Sequence, residues 1–238
     1  MKIIKEISKE EFVDFIFEKI DTNDKNIYTE MNSDTATGIF QLSADTAKKF
    51  SKQIKPENFD ELNAVNSLSR PGSSYGLPFY IDGKNNGVKL YPDKVHTLLE
   101  ETFGVILFQE QVMNIFHKIG GFTLEEANEV RSLMKKLGKL VKDPKDVEKW
   151  NKQVERFTAS AIQNGLTKQD AERLAEDMVK FSGYSFNKSH ATSYTLIAVI
   201  TLYLSFYFRK YFYSALLSYN MTKDESDILS AVNSPLDE

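Results

Sequence analysis

The sequence predicts a mainly α-helical protein, and three observations carry that prediction. Two capping-box patterns stand at helix starts, T-x-x-E at Thr123–Glu126 and T-x-x-D at Thr167–Asp170. In such a box a hydroxyl and a carboxylate satisfy the first unbonded N–H groups of a helix. Apolar residues recur at helical spacing ahead of stop signals, as with Phe59, Leu62, Val65 and Leu68 before Pro71-Gly72. Strand signals are confined to D-G-K-N-N-G, which predicts a small β-hairpin or short strands near residues 79–90.

Each element follows in order. Ser8 caps a helix from Lys9 to about Asp21, and the polar loop D-T-N-D-K-N comes after it. A short apolar stretch at Ile39–Leu42 leads into a helix capped by Ser43. The helix over residues 56–68 ends at S-R-P-G, where proline and glycine force a stop. Residues 97–118 are helical apart from a turn near Gly104, and Gly120-Gly121 breaks the chain. The Thr123 box opens a helix to about Leu137, a long helix runs over residues 144–164 to Gly165, and the Thr167 box opens another ending at F-S-G. One unbroken helix is expected from Ser189 to about Tyr219. The chain therefore reads as an N-terminal helix and polar loop (1–33), a single helical domain (34–222) and a polar C-terminal tail (223–238).

Bulk composition removes several function classes. The 238 residues are 41% apolar, enough for a substantial core. A net charge of −4 argues against a uniformly basic surface but allows a local basic face. The absence of cysteine excludes a disulfide framework, a zinc knuckle and a thiol nucleophile, and points to a reducing, cytoplasmic setting. No phosphate-loop, dinucleotide-loop or H-E-x-x-H motif occurs, and His96, His117 and His190 are scattered, so no metal site is expected in the chain. The apolar run Tyr194–Phe208 is shorter than the ~20 residues a membrane span needs, and reads as a buried core helix.

Two segments carry candidate chemistry. From Arg131 to Lys152 positive charge concentrates, and Arg131, Lys135 and Lys139 share one helical face at i, i+4 spacing, with Lys136 beside them. Such a face suits phosphates; the alternative is a solvated surface partly neutralised by Asp143, Asp146 and Glu148. The second segment is F-S-G-Y-S-F-N-K-S-H at Phe181–His190. It places Tyr184, Asn187, Lys188 and His190 at the start of a long helix, where backbone N–H groups favour an anion. It reads either as a nucleotide pocket or as a well-capped turn.

The motifs occur in the order T-G-I-F-Q-L-S, L-S-R-P-G, G-V-I-L-F-Q-E-Q-V-M, G-G-F-T-L-E-E-A-N-E-V-R and F-S-G-Y-S-F-N-K-S-H-A-T-S-Y. This resembles the fingers region of the alpha (catalytic) subunit of bacterial DNA polymerase III, the family C DNA polymerases, over roughly Thr37 to Met221. The resemblance implies a fingers module that closes over an incoming deoxynucleoside triphosphate on primer-template DNA during replication, with residues 1–33 at the edge of the palm–fingers junction. By resemblance Arg131 contacts the triphosphate, Tyr184 lies by the nascent base pair and His190 by the sugar. Asn187 and Lys188 order the loop or touch phosphate. Lys135, Lys136, Lys139 and Arg70 are possible phosphate or DNA contacts, and the resemblance gives Arg70 and Gln109-Glu110-Gln111 a scaffold or template-side role.

The chain departs from the family at two places. Ser132 stands where the family often has a second arginine, and the M-G-K-K-K run is altered to Met134-Lys135-Lys136-Leu137-Gly138-Lys139. Both changes weaken the expected triphosphate grip. The family's catalytic carboxylates, which hold Mg2+, belong to a palm that this sequence lacks. The expectation is therefore a nucleotidyltransferase part, from a split gene or a fragment, that is inactive without a palm-containing partner chain. The alternative is a catalytically inert helical binding protein that docks on DNA or a polymerase.

Overall fold

The computed structural model describes residues 20–31, 37–70, 72–137, 143–182 and 186–220. Among them are eleven α-helices and no strand: α1 Lys25–Met31, α2 Asp45–Ile54, α3 Phe59–Leu68, α4 Leu77–Asn86, α5 Asp93–His96, α6 Gln109–Lys118, α7 Leu124–Leu137, α8 Pro144–Gln163, α9 Lys168–Ser182, α10 Lys188–Tyr207 and α11 Arg209–Asn220. Short 3-10 turns cover Ser74–Gly76 and Thr97–Thr102. Read from sequence as one unit, the chain divides into two compact units, residues 1–66 with 192–238, and residues 67–191.

The helix starts follow from local chemistry. Thr123 and Glu126 form the reciprocal box: the Thr123 N–H donates to Glu126 Oε2 at 2.8 Å and the Glu126 N–H to Thr123 Oγ1 at 3.2 Å. Asp143 caps α8 by accepting from the Lys145 N–H at 2.9 Å, with Pro144 at the first helical position. At α9 the Thr167 hydroxyl accepts from the Asp170 N–H at 3.1 Å and donates to the Asp170 carboxylate at 2.7 Å. Ser43 is not the cap of α2: its hydroxyl donates to the Ile39 carbonyl at 2.9 Å, and Ala44 holds the capping position without a side-chain bond.

Three further expectations need correction. The hairpin near residues 79–90 is the helix α4. Pro78 supports its first turn, and Gly87, at φ 66°, ends it while its N–H bonds to the Gly83 carbonyl at 3.1 Å. The N-N-G triplet that resembles a hairpin turn is thus a glycine C-cap, because both features ask for a left-handed residue. The long C-terminal helix is two helices, α10 and α11, bent by 115° at Phe208. Of the loop D-T-N-D-K-N, Lys25 and Asn26 already belong to α1. The expected Lys9–Asp21 helix lies outside the described residues except for Ile20 and Asp21, which are not helical.

In the first unit, α10 is apolar around its circumference and buries Ala198, Val199, Leu202 and Leu204. Its polar members are bonded. Fully buried Thr195 accepts from Asn66 Nδ2 at 2.9 Å and donates to Asn63 Oδ1 at 3.0 Å. The Thr201 hydroxyl accepts from the Phe40 N–H at 3.2 Å, and the Tyr207 hydroxyl donates to Asp24 at 2.6 Å. No single helix among the described residues is long and apolar enough to cross a membrane.

The second unit is organised around Phe116. Phe122 meets it edge-on at 5.0 Å between ring centroids, and Phe157 and Trp150 lie at 4.9 and 6.2 Å. Gly120 makes this packing possible, since a Cβ there would fall 2.7 Å from both the Phe116 carbonyl oxygen and Phe157 Cδ2. Helices α6 to α9 pack in sequence around the cluster, which fixes the N-terminus of α6 on one side and the basic helix α7 on another.

Candidate nucleotide-binding site

The site is built from the F-Q-E-Q segment at the start of α6. Phe108 is extended and buried, and beside it the buried Gln111 serves two purposes. Its Oε1 accepts from the Leu107 and Phe108 N–H groups at 2.8 and 3.0 Å, and its Nε2 donates to the Thr102 hydroxyl at 2.8 Å. Buried backbone donors left unpaired cost on the order of 1–3 kcal/mol each, so one glutamine side chain locks the whole entry to α6.

That rigid entry holds the loop of Phe186–His190. The Gln109 N–H donates to the Phe186 carbonyl at 2.8 Å. Glu110 accepts from Asn187 Nδ2 at 2.7 Å with one carboxylate oxygen and from the Lys188 N–H at 2.9 Å with the other. Asn187 is the N-cap of α10, its Oδ1 accepting from the His190 N–H at 3.0 Å. The Lys188 ammonium pairs with Glu101 and lies 5.9 Å from the Phe108 ring centroid. The anion favoured at the start of α10 is therefore already present, as the Glu110 carboxylate.

The aromatic part of the loop is clamped from two sides. The Arg70 guanidinium sits 3.8 Å over the Phe186 ring, and His190 meets the same ring edge-on at 5.7 Å. His190 itself remains exposed at the surface of the loop. Arg70, expected as a possible phosphate or DNA contact or a scaffold or template-side residue, is stacked on the Phe186 ring. Phe186 is the plate on which Arg70 and His190 rest.

Arg131 stands on α7, half-exposed, with Nε and Nη2 at 3.0 and 2.8 Å from Asn128 Oδ1. No described hydrogen bond or ion pair joins it to residues 186–190. Lys135 and Lys136 are exposed on the same helix, and Lys136 lies 3.5 Å from Asp146. Tyr184 and Lys139 lie outside the described residues. Sequence reading missed Glu101 as the partner of Lys188; an acidic residue in E-E-T, distant in the chain, carries no motif signal. Among the described residues no three carboxylate or imidazole groups converge in a way that could hold a metal ion.

Residues 1–165 match the family model described as the bacterial DNA polymerase III alpha subunit finger domain. A DNA polymerase III subunit alpha of Campylobacter jejuni is 41% identical over 230 residues, covering 94% of this chain and 18% of that protein. One from Halalkalibacterium halodurans is 36% identical over 200 residues (82% of this chain, 17% of that protein), and one from Staphylococcus epidermidis 33% over 220 residues (91% and 20%). The chain thus spans about a fifth of the length of these relatives. It belongs to the finger-domain family of bacterial DNA polymerase III alpha subunits.

Proposed function

We propose that this chain is a polymerase fingers module that binds an incoming deoxynucleoside triphosphate and primer-template DNA, and that a palm-bearing chain completes the enzyme. The observation that carries the proposal is the double clamp on the 186–190 loop, Glu110 on Asn187 and Lys188 and Arg70 on Phe186, which leaves His190 exposed on a fixed support. A group that must discriminate a sugar has to be held before the ligand arrives. In this reading Arg131 grips the triphosphate. Its present partner, the neutral Asn128 amide oxygen, is a weaker acceptor than phosphate and gives way to it.

Lys188 and Asn187 are assigned to positioning, because both are engaged in holding the loop. Tyr184 stacks by the base, and Lys135 and Lys139 add charge along the Arg131 face. Among the described residues no cluster of carboxylates fits the magnesium ions of family C polymerases, and in this reading a palm holds them and supplies the bond-forming step. Alone, the chain extends no primer.

The test mixes the chain with a palm-bearing polymerase chain and follows primer extension. Arg131→Ala is expected to lower extension efficiency by roughly 10–100-fold, the range of a lost charge-assisted phosphate contact. His190→Ala is expected to erode the preference for deoxy- over ribonucleotides. Unchanged behaviour of both variants sinks the site assignment, and a chain that binds DNA but never supports extension favours the inert binding protein.

A further inference from the structure

Helices α7 and α8 leave between them an open groove of about 450 Å³, lined by Asn128, Ser132 and Lys136 from one helix and Lys149, Lys152 and Gln153 from the other. Three lysines face a single acidic lining residue, Glu129. Lys149 has no ion-pair partner among the described residues. The two other lysines are weakly held: Lys136 stands 3.5 Å from Asp146, and Lys152 pairs with Glu148 at 2.7 Å in an exposed i, i+4 contact. Pairs of that kind are readily surrendered to a stronger anion. Gln153 lines the groove with its Oε1 buried and without a partner among the described residues. Ser132 and Lys136, and Lys149 and Lys152, are each one helical turn apart, so donors run in two rows along the groove. Rows suit the repeated charge of a strand better than one compact anion.

We propose that this groove, whose lining residue Asn128 is the hydrogen-bond partner of Arg131, seats the phosphodiester backbone of a nucleic-acid strand. The proposal rests on the reading of the chain as a DNA-binding module. The experiment measures fluorescence anisotropy of a labelled oligothymidine with the whole chain, across a salt series. Wild type is compared with K149E/K152E and with K48E/K49E, which carries the same charge change on exposed residues of α2.

The groove variant is expected to bind at least tenfold more weakly and to lose about 1.4 from the magnitude of the salt slope, two phosphate contacts at ~0.7 each. The control is expected to stay close to wild type. Equal weakening of both doubles, or of neither, overturns the groove while leaving DNA binding intact. A wild type that binds no oligothymidine removes the DNA-binding reading itself. Displacement of the oligonucleotide by a deoxynucleoside triphosphate at matched ionic strength would reassign the groove to the triphosphate.

Discussion

Glu110 uses one carboxylate oxygen for a side-chain amide and the other for a backbone N–H, both in the loop that carries His190. Glutamine keeps the shape of this side chain but turns one acceptor into a donor that faces another donor. Glu110→Gln is expected to cost about 1–3 kcal/mol. Amide exchange at residues 186–190 reads the loss, and unchanged exchange there contradicts the clamp. At this scale the sequence was only partly legible. F-Q-E-Q-V-M and F-N-K-S-H stood out as motifs, but nothing local says that they touch, because 77 positions separate Glu110 from Asn187. The basic reading of residues 131–152 was legible as charge; that Lys136 faces Asp146 and Arg131 faces Asn128 depended on rotamers and on the α7–α8 packing.

At the scale of the element, the start of α7 ties two helices together. Glu126 completes the capping box and also accepts from Arg156 of α8 at 2.7 Å. Arg156 first, and the Thr123 N–H second, hold its carboxyl below the usual carboxylate range. A carboxyl lowered in the folded state stabilises at neutral pH, and that stabilisation is lost as pH falls through the lowered value. The thermal midpoint should therefore fall on the acid side, and Glu126→Gln should flatten part of that fall. An identical acid limb in the variant would rule out this contribution. Capping boxes were readable because all their groups lie within four residues. The bend at Phe208 was not, since neither glycine nor proline marks it; bulky aromatics and the Tyr207–Asp24 bond surround it instead.

At the scale of the molecule, the chain's C-terminal helices return to its N-terminal third. Thr195 bonds to Asn63 and Asn66 from 132 and 129 positions away, in a fully buried setting. Thr195→Val preserves shape but leaves the Asn63 oxygen and the Asn66 amide without that partner. It is expected to lower stability by about 1–3 kcal/mol, measured as a shift of the denaturant midpoint at constant slope. A midpoint within error of wild type would mean that water replaces the hydroxyl. The overall helical class was legible from periodicity and caps, whereas the division into two units was not. It depends on which distant segments pack together, and hydrophobic spacing does not encode that.

The Glu110–Asn187 bond also sets a timetable for assembly. With synthesis at ~5–20 residues per second, the 77 positions between the partners take roughly 4–15 s to emerge. Through that interval the Glu110 carboxylate is without its partners Asn187 and Lys188, which have not yet been synthesised. The 186–190 loop is then the last part of the second unit to close, and a chain interrupted before residue 187 retains most of that unit's core while lacking the segment that Glu110 holds.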